Sequence, residues 1–283
     1  MPDLLSWLEH CEVCPNRCGV DRLRGEKGAC RLDDTLKVSS TDLHFGEEAV
    51  LVGRGGSGTI FFTACNLKCV YCQNYDISQL DRGRRVSARE LVDLMLSLEL
   101  RGAENINLVT PTHQAPQIFT ALGLARQQGL TLPVVYNCGG YENADFLRDL
   151  DGLVDIYMPD FKYGSAERGE AYSGVSDYPR HCRAALLEMH RQVGDLVVNS
   201  RGVAEKGLLV RHLVLPHGLA DSRLIFEFIS RDISRHTFVN IMDQYHPCHR
   251  AAEYHELDRR ILRREYEEAL DIARSLGLTR ISA

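Results

Sequence analysis

The sequence predicts an α/β fold: an open partial (β/α)6 TIM-like barrel, with a doubly wound sheet as the alternative, carrying a small N-terminal Cys-rich segment. Three observations predict it. Strand-like and helix-like stretches alternate six times between residues 58 and 283. The strand-like stretches are almost uninterruptedly apolar, as expected of parallel strands covered on both faces. Seven of the ten cysteines lie within the first 72 residues, ahead of the alternation or at its first strand. Six units are too few to close an eight-stranded barrel, and parallel neighbours require right-handed crossovers.

Each element has its own signal. Residues 1–57 are Cys- and Gly-rich and end in "GRGGSG", which reads as a flexible joint. This sets an expected boundary between a metal-binding segment, 1–57, and the barrel, 58–283. "TIFFTA" is the first strand. "SARELVDLMLSLELRG" follows as a helix with Ser87 as N-cap, Glu90 completing a capping box and Gly102 as the stop. "NINLVT" and "APQIFTALGLARQQG" form the second unit, "LPVVYN" and "ENADFLRDL" the third. "VDIYMPDFK" leads into "PRHCRAALLEMHRQVG", and "GLLVRHLVLP" into "SRLIFEFISRDI". "FVNIM" is the sixth strand, and "DRRILRREYEEALDIARSLG" ends the chain as a long helix. In folds of this class the chemistry sits at the C-terminal ends of the strands.

Composition narrows the function classes. Lys plus Arg number 33 against 39 Asp plus Glu, a net charge of -6, so no nucleic-acid partner is expected. The N-terminal stretch lacks a basic run followed by a long apolar one, and "GLLVRHLVLP" is broken by Arg211 and His212. No signal peptide and no membrane partner are therefore expected, and the expected location is cytoplasmic. There, clustered cysteines point to metal rather than to disulfides. Cys138, Cys182 and Cys248 stand alone and read as small buried apolar residues.

Cys65, Cys69 and Cys72 follow the first strand at spacings that gather three thiols in one short loop. Three Cys ligands can hold an iron–sulfur cubane and leave its fourth iron open; zinc with three ligands is the alternative. Cys11, Cys14, Cys18 and Cys30 make a complete four-thiol set for zinc or an auxiliary iron–sulfur cluster, between which the spacing does not choose. On the later strands, Asn137 and the glycines of "YNCGG" allow close backbone approach to a ligand. Alternation along "YMPDFKY" puts Met158, Asp160 and Lys162 on one face. Arg211 interrupts an apolar strand and needs a partner, for which a carboxylate is the natural one. His212 points the other way, as a core histidine would, and Asn240, Met242 and Gln244 share one side of the sixth strand.

The Cys65-x3-Cys69-x2-Cys72 spacing, with Tyr71 directly before the last cysteine, resembles the signature of the radical S-adenosylmethionine (SAM) superfamily. "CNLKCVYCQNYDIS", "NLVTPTH", "RHLVLP" and "NIMDQYHP" look like its branch related to pyruvate formate-lyase activating enzymes. The resemblance implies a 4Fe-4S cluster whose open iron is chelated by SAM, reductive cleavage to a 5′-deoxyadenosyl radical, and hydrogen abstraction from a protein or peptide glycine. Where many members carry a Gly-Gly-Glu segment for the SAM ammonium, this chain offers Thr110, Thr112 and His113. The Met-x-Asp-x-Lys segment at Met158, Asp160 and Lys162 implies SAM contacts and an accompanying monovalent cation, and Arg211 a contact to the methionine carboxylate. The implied electron donor is a flavodoxin or ferredoxin. No catalytic side chain is assigned. Modification of a small molecule or a peptide side chain is the alternative activity, and a non-catalytic iron–sulfur binding or redox-sensing protein the alternative class.

Overall fold

The computed structural model describes residues 3–282. Ten strands form one sheet: β1 (Lys37–His44), β2 (Ser57–Phe62), β3 (Arg84–Arg85), β4 (Ile106–Val109), β5 (Val134–Cys138), β6 (Ile156–Pro159), β7 (Val197–Val198), β8 (Ala204–Leu213), β9 (Phe238–Met242) and β10 (Ile281–Ser282). The six expected strands are β2, β4, β5, β6, β8 and β9, and they run parallel in that spatial order. β10 adds a parallel edge to β9, while β1 and β3 continue the other edge in antiparallel pairing. The two edges do not meet, so the sheet curls into an open partial barrel.

The helices are α1 (Ala49–Val52), α2 (Tyr75–Ser78), α3 (Ala88–Leu100), α4 (Ala115–Gln127), α5 (Ala144–Arg148), α6 (Ala166–Ser173), α7 (Tyr178–Val193), α8 (Ser222–Phe228) and α9 (Arg263–Ser275). Ser87 and Glu90 close the expected capping box at α3, with Ser87 Oγ accepting from Glu90 N–H at 3.2 Å and Glu90 accepting from Ser87 N–H at 2.7 Å. The last helix begins at Arg263, five residues later than its pattern suggests, because Arg259 is engaged by Glu265 at 2.7 Å ahead of the first turn.

Strand alternation divides the sheet into two faces. Leu108, Tyr136, Tyr157, Leu208 and Val210 belong to the main core, alongside the buried faces of α3, α4 and α7. On the concave side Val135, Ile156, Met158 and Leu209 pack with Leu51 of α1 in a separate apolar cluster. The segment around α1 is thus a plug at the N-terminal ends of the strands; Asn105 Nδ2 donates to Leu51 O at 2.8 Å. Burial of each such leucine contributes about 2 kcal/mol, which makes the plug a fixed part of the barrel.

That arrangement differs from the expected joint at residue 57. β1 and α1, inside the N-terminal segment, are built into the sheet and its floor. The run "GRGGSG" is a packed turn: Arg54 and Gly55 N–H donate to Glu104 Oε1 at 3.1 and 3.3 Å. A Cβ at Gly55 would stand 1.8 Å from Gly102 O, so the glycine serves close packing rather than flexibility.

The cysteine-bearing start of the chain lies against the loops that follow β2, β4 and β5. Asn16 Nδ2 donates to Asn66 O at 2.9 Å, Arg22 Nη1 to His113 O at 2.8 Å, and Asn143 Nδ2 to Glu12 O at 2.6 Å. Arg22 is only 1% exposed; its remaining donors reach Asp33 O at 3.0 and 2.7 Å. A buried guanidinium satisfied by carbonyls locks this segment to the top of the barrel.

Candidate active site

The loop after β2 carries Cys65, Cys69 and Cys72 onto the wall of a cavity of about 240 Å³ at the C-terminal ends of the strands. Each sulfur has a polar neighbour. Leu67 N–H donates to Cys65 Sγ at 3.4 Å, Ser173 Oγ to Cys69 Sγ at 3.0 Å, and Ser78 Oγ lies 3.3 Å from Cys72 Sγ. Ser173 is set in turn by the Tyr163 hydroxyl 2.8 Å away. Tyr71 is buried edge-on against Tyr163 and Tyr245, with centroids 6.3 and 5.8 Å apart, and closes the apolar side of the loop. Burial pushes the Cys65 and Cys69 thiols up, and the neighbouring sulfurs add to the rise. Without a positive centre the thiolates are disfavoured; a metal cluster would reverse that balance. The donor set therefore fits a thiolate-held cluster, because hydrogen bonds to sulfur are among the determinants of cluster potential.

Facing the thiols is a charged wall. Asp160 accepts from Lys162 Nζ at 2.6 Å and from Arg211 Nε at 2.9 Å. Burial works against its carboxylate, but Arg211 and Lys162 outweigh burial and hold the carboxyl below its ordinary range. Lys162 is buried too, and Asp160, then Cys69, keep its ammonium charged. Gly140, at φ +78°, makes the turn beside this wall, and a Cβ there would stand 2.2 Å from Asp160 O. The Tyr178 hydroxyl staples the same turn, 2.9 Å from Gly139 O and 2.8 Å from Asp160 O, while accepting from Lys162 N–H at 2.9 Å.

The predicted residues divide into three groups. Tyr71, Thr110, Asn137, Asp160, Lys162 and Arg211 share the cavity with the three thiols. Thr110 does so at φ +57°, a strained value for a threonine. Met158 lies beneath, fully buried among the plug residues. Thr112 and His113 turn away, because a 3-10 turn at Thr112–Gln114 follows β4 directly. Thr112 Oγ1 donates to Glu142 at 2.7 Å, and His113 Nε2 sits 2.8 Å from Thr63 O in a site whose burial lowers its pKa to about 4. His212 is a satisfied core histidine, 2.9 Å from Phe161 O and 2.8 Å from Ser222 Oγ.

Arg211 has a different setting from the one expected. Its guanidinium is met by protein groups: Asp160, Asn137 Oδ1 at 2.7 Å, Glu47 at 3.5 Å and Glu48 at 3.8 Å. The two glutamates come from the plug and were not singled out in the sequence. Burial, with Glu48 next to it, raises the Glu47 carboxyl to about 7 despite Arg211. Among the described residues, Glu48 Oε2 and Asn107 Oδ1 are buried there with no hydrogen-bond partner. Cys248, expected to be a small buried residue, is half-buried instead.

The N-terminal thiols also group together. Cys11, Cys14 and Cys30 are buried and Cys18 is half-buried. Burial pushes the Cys14 thiol up to about 12. Among the described residues, however, no three Cys, His, Asp or Glu side chains converge on a point that one metal ion could occupy. A second cleft of about 500 Å³ lies between the β8–α8 loop and α9, lined by His217, Asp221, Arg264 and Glu265 and by none of the seven thiols. No helix among the described residues is long and apolar enough to cross a membrane.

Comparison with known proteins agrees with this geometry. The chain is 34% identical over 281 residues to the uncharacterized protein MJ0674 of Methanocaldococcus jannaschii, covering 96% of this chain and 76% of that one. It is 23% identical over 272 residues to the uncharacterized protein MJ0808 of the same organism, covering 86% and 72%. In fold it resembles HydG, a maturase of the [FeFe]-hydrogenase, with a TM-score of 0.51, 9% identity and 77% of this chain covered. That match spans 48% of HydG, so the likeness extends to about half of the longer protein and concerns the fold alone. Residues 59–200, from β2 through the thiol loop to Asp160 and Lys162 and beyond, match the Radical SAM superfamily. The chain belongs to the radical SAM superfamily.

Proposed function

We propose that this protein is an activase-like radical SAM enzyme that abstracts hydrogen from a glycine in a protein or peptide. A 4Fe-4S cluster held at the cavity thiols, with SAM bound beside it, would supply reductive cleavage of the sulfonium and so a 5′-deoxyadenosyl radical. Cys65, Cys69 and Cys72 would hold the cluster, with Ser173, Ser78 and the Leu67 N–H tuning its sulfurs. Asp160, Lys162 and Asn137 would receive the amino and carboxylate groups of SAM, and Asp160 a monovalent cation beside them. Arg211 holds Asp160 in place from below rather than reaching for the ligand, since its donors are already engaged. Thr110 and the Gly139 backbone complete the wall and help exclude water.

The observation that carries the choice of substrate is the mouth of the cavity. Gln73, Asn74 and Gln244 line it as exposed residues with side-chain amides, and Gln73 Nε2 already donates to the Gln244 backbone carbonyl at 3.3 Å. Primary amides complement the alternating N–H and C=O groups of an extended peptide, and an unclosed barrel leaves room for one to enter. The test is label transfer. Anaerobic protein with SAM, reduced flavodoxin or ferredoxin, and a candidate partner labelled with dideuterated glycine should yield deuterated 5′-deoxyadenosine and a glycyl radical by electron paramagnetic resonance. Unlabelled 5′-deoxyadenosine without a glycyl radical, with label arriving only when a side chain or a small metabolite carries the deuterium, would replace this substrate with the alternative one.

A further inference from the structure

The plug beneath the charged wall is short of donors. Glu47 and Glu48, with side chains 12% and 4% exposed, both reach Arg211 Nη1, at 3.5 and 3.8 Å. Asn107 Nδ2 donates to Glu47 Oε2 at 2.7 Å and to Ser57 Oγ at 3.2 Å, and Asn240 Nδ2 donates to Glu48 Oε1 at 2.9 Å. Ser57 gives its own hydroxyl proton to Asn105 Oδ1 at 2.7 Å, so it has none for Asn107. Glu48 Oε2 and Asn107 Oδ1 remain: both are acceptors, both are buried, and neither meets a donor among the described residues. In a dry interior such atoms need one. The charges are out of balance in the same direction. Asp160, Glu47 and Glu48 face Arg211 and Lys162, one cation too few. The remaining neighbours of this group are neutral: Asn107 from β4, Asn137 from β5 and Asn240 from β9.

We propose that Glu47 and Glu48 hold one proton between them and, through Arg211, position Asp160 for SAM. A single proton supplies both the missing donor and the missing positive charge. It binds a carboxyl oxygen and exchanges with solvent by way of Glu47, the more exposed of the two; no other bond forms or breaks. Burial, with Glu48 adjacent, raises Glu47 to about 7, so the proton comes and goes within the neutral range. With the proton on, the pair offers Arg211 one negative charge, and the guanidinium is shared with Asp160 at 2.9 Å. With the proton off, the pair takes a larger part of Arg211, and the Asp160 carboxylate is freer to receive the SAM ammonium. Neither glutamate lines the cavity, so both are positioning residues. The inference rests on the radical SAM reading but not on glycine as the substrate.

The experiment uses the full chain, reconstituted anaerobically with iron and sulfide. Equilibrium dialysis gives SAM affinity at pH 6 and pH 8.5 for wild type and for Glu47→Gln, whose amide imitates the protonated carboxyl. SAM's own titration cancels in the ratio of the two affinities. That ratio should shift by about fivefold in favour of wild type between the two pH values, the effect of one added charge at an effective dielectric between 20 and that of water. A glutamate with a structural role alone would lower affinity equally at both values, and a constant ratio would overturn the coupling. Infrared spectroscopy reads the proton itself, and keeps it testable if Glu47→Gln fails to fold. The chain for this is Glu142→Gln, because Glu142 also titrates near 7. Its spectrum should show the carbonyl stretch of a protonated carboxyl at pH 6 and lose it by pH 8.5. No such band at pH 6 would overturn the proton in favour of a bridging water. A band seen in choline chloride and absent in potassium chloride would overturn it in favour of an alkali cation. Neither readout uses a glycyl radical or a peptide, so failure here and failure of the activase reading are separate results.

Discussion

Replacing Asp160 with Asn tests the electrostatic logic of the charged wall. Asp160, Lys162 and Arg211 have side chains 18%, 19% and 16% exposed, so each charge is largely removed from water. A contact pair in such a setting is worth about 4 kcal/mol at an effective dielectric of 20. Removing one partner of a buried pair costs about 3–5 kcal/mol, because the other charge is stranded. Arg211 retains Glu47 and Glu48, so most of that loss falls on Lys162. Asp160→Asn should therefore lower the melting temperature by roughly 10 °C at pH 7. The sign of the pH dependence follows. In wild type Asp160 raises the Lys162 pKa, and the pair's contribution persists until pH climbs past the normal lysine range. In the variant, buried and unpaired Lys162 drops below its unfolded value, so the unfolded chain binds more protons and the deficit shrinks as pH rises from 7 to 9. Anaerobic thermal melts of wild type, Asp160→Asn, Lys162→Met and the double variant form the cycle. A loss under about 1 kcal/mol, or one indifferent to pH, would refute the stranded-charge account.

Other outcomes follow from the same geometry. Cys69→Ala should lose the open-iron cluster signal while far-ultraviolet circular dichroism stays that of the folded chain; an intact cubane spectrum would remove Cys69 from the ligands. Glu142, raised by burial to about 7 although Thr112 and Tyr136 donate to it, favours the fold below its unfolded pKa, and that contribution is lost as pH rises through 7. Glu142→Gln should abolish a stability change of about 3 kcal/mol between pH 4.5 and 8.5, read from urea midpoints. Gly140→Ala should weaken SAM binding and lower stability together, since its Cβ collides with Asp160 O and its φ is left-handed; equilibrium dialysis showing unchanged SAM affinity would detach that turn from the site.

How much was legible divides along the range of the interactions. The sequence by itself determined what depends on neighbours within a few residues: the capping box at Ser87 and Glu90, the alternation of six strands with helices, and three thiols at Cys65, Cys69 and Cys72. Backbone periodicity and short spacing specify these, since their hydrogen bonds and faces are set locally. Only the tertiary structure decided who neutralises whom. Arg211 announced a buried charge that needed a partner, yet Glu47 lies 164 positions away and reaches it because β1 and α1 fold back beneath the barrel. Ser173 meets Cys69 across 104 positions, and Thr112 and His113, adjacent to the strand end in sequence, are turned into the core by a single 3-10 turn. A low-dielectric interior demands compensation for every charge, but chain closure alone selects which of many acids and hydroxyls supplies it.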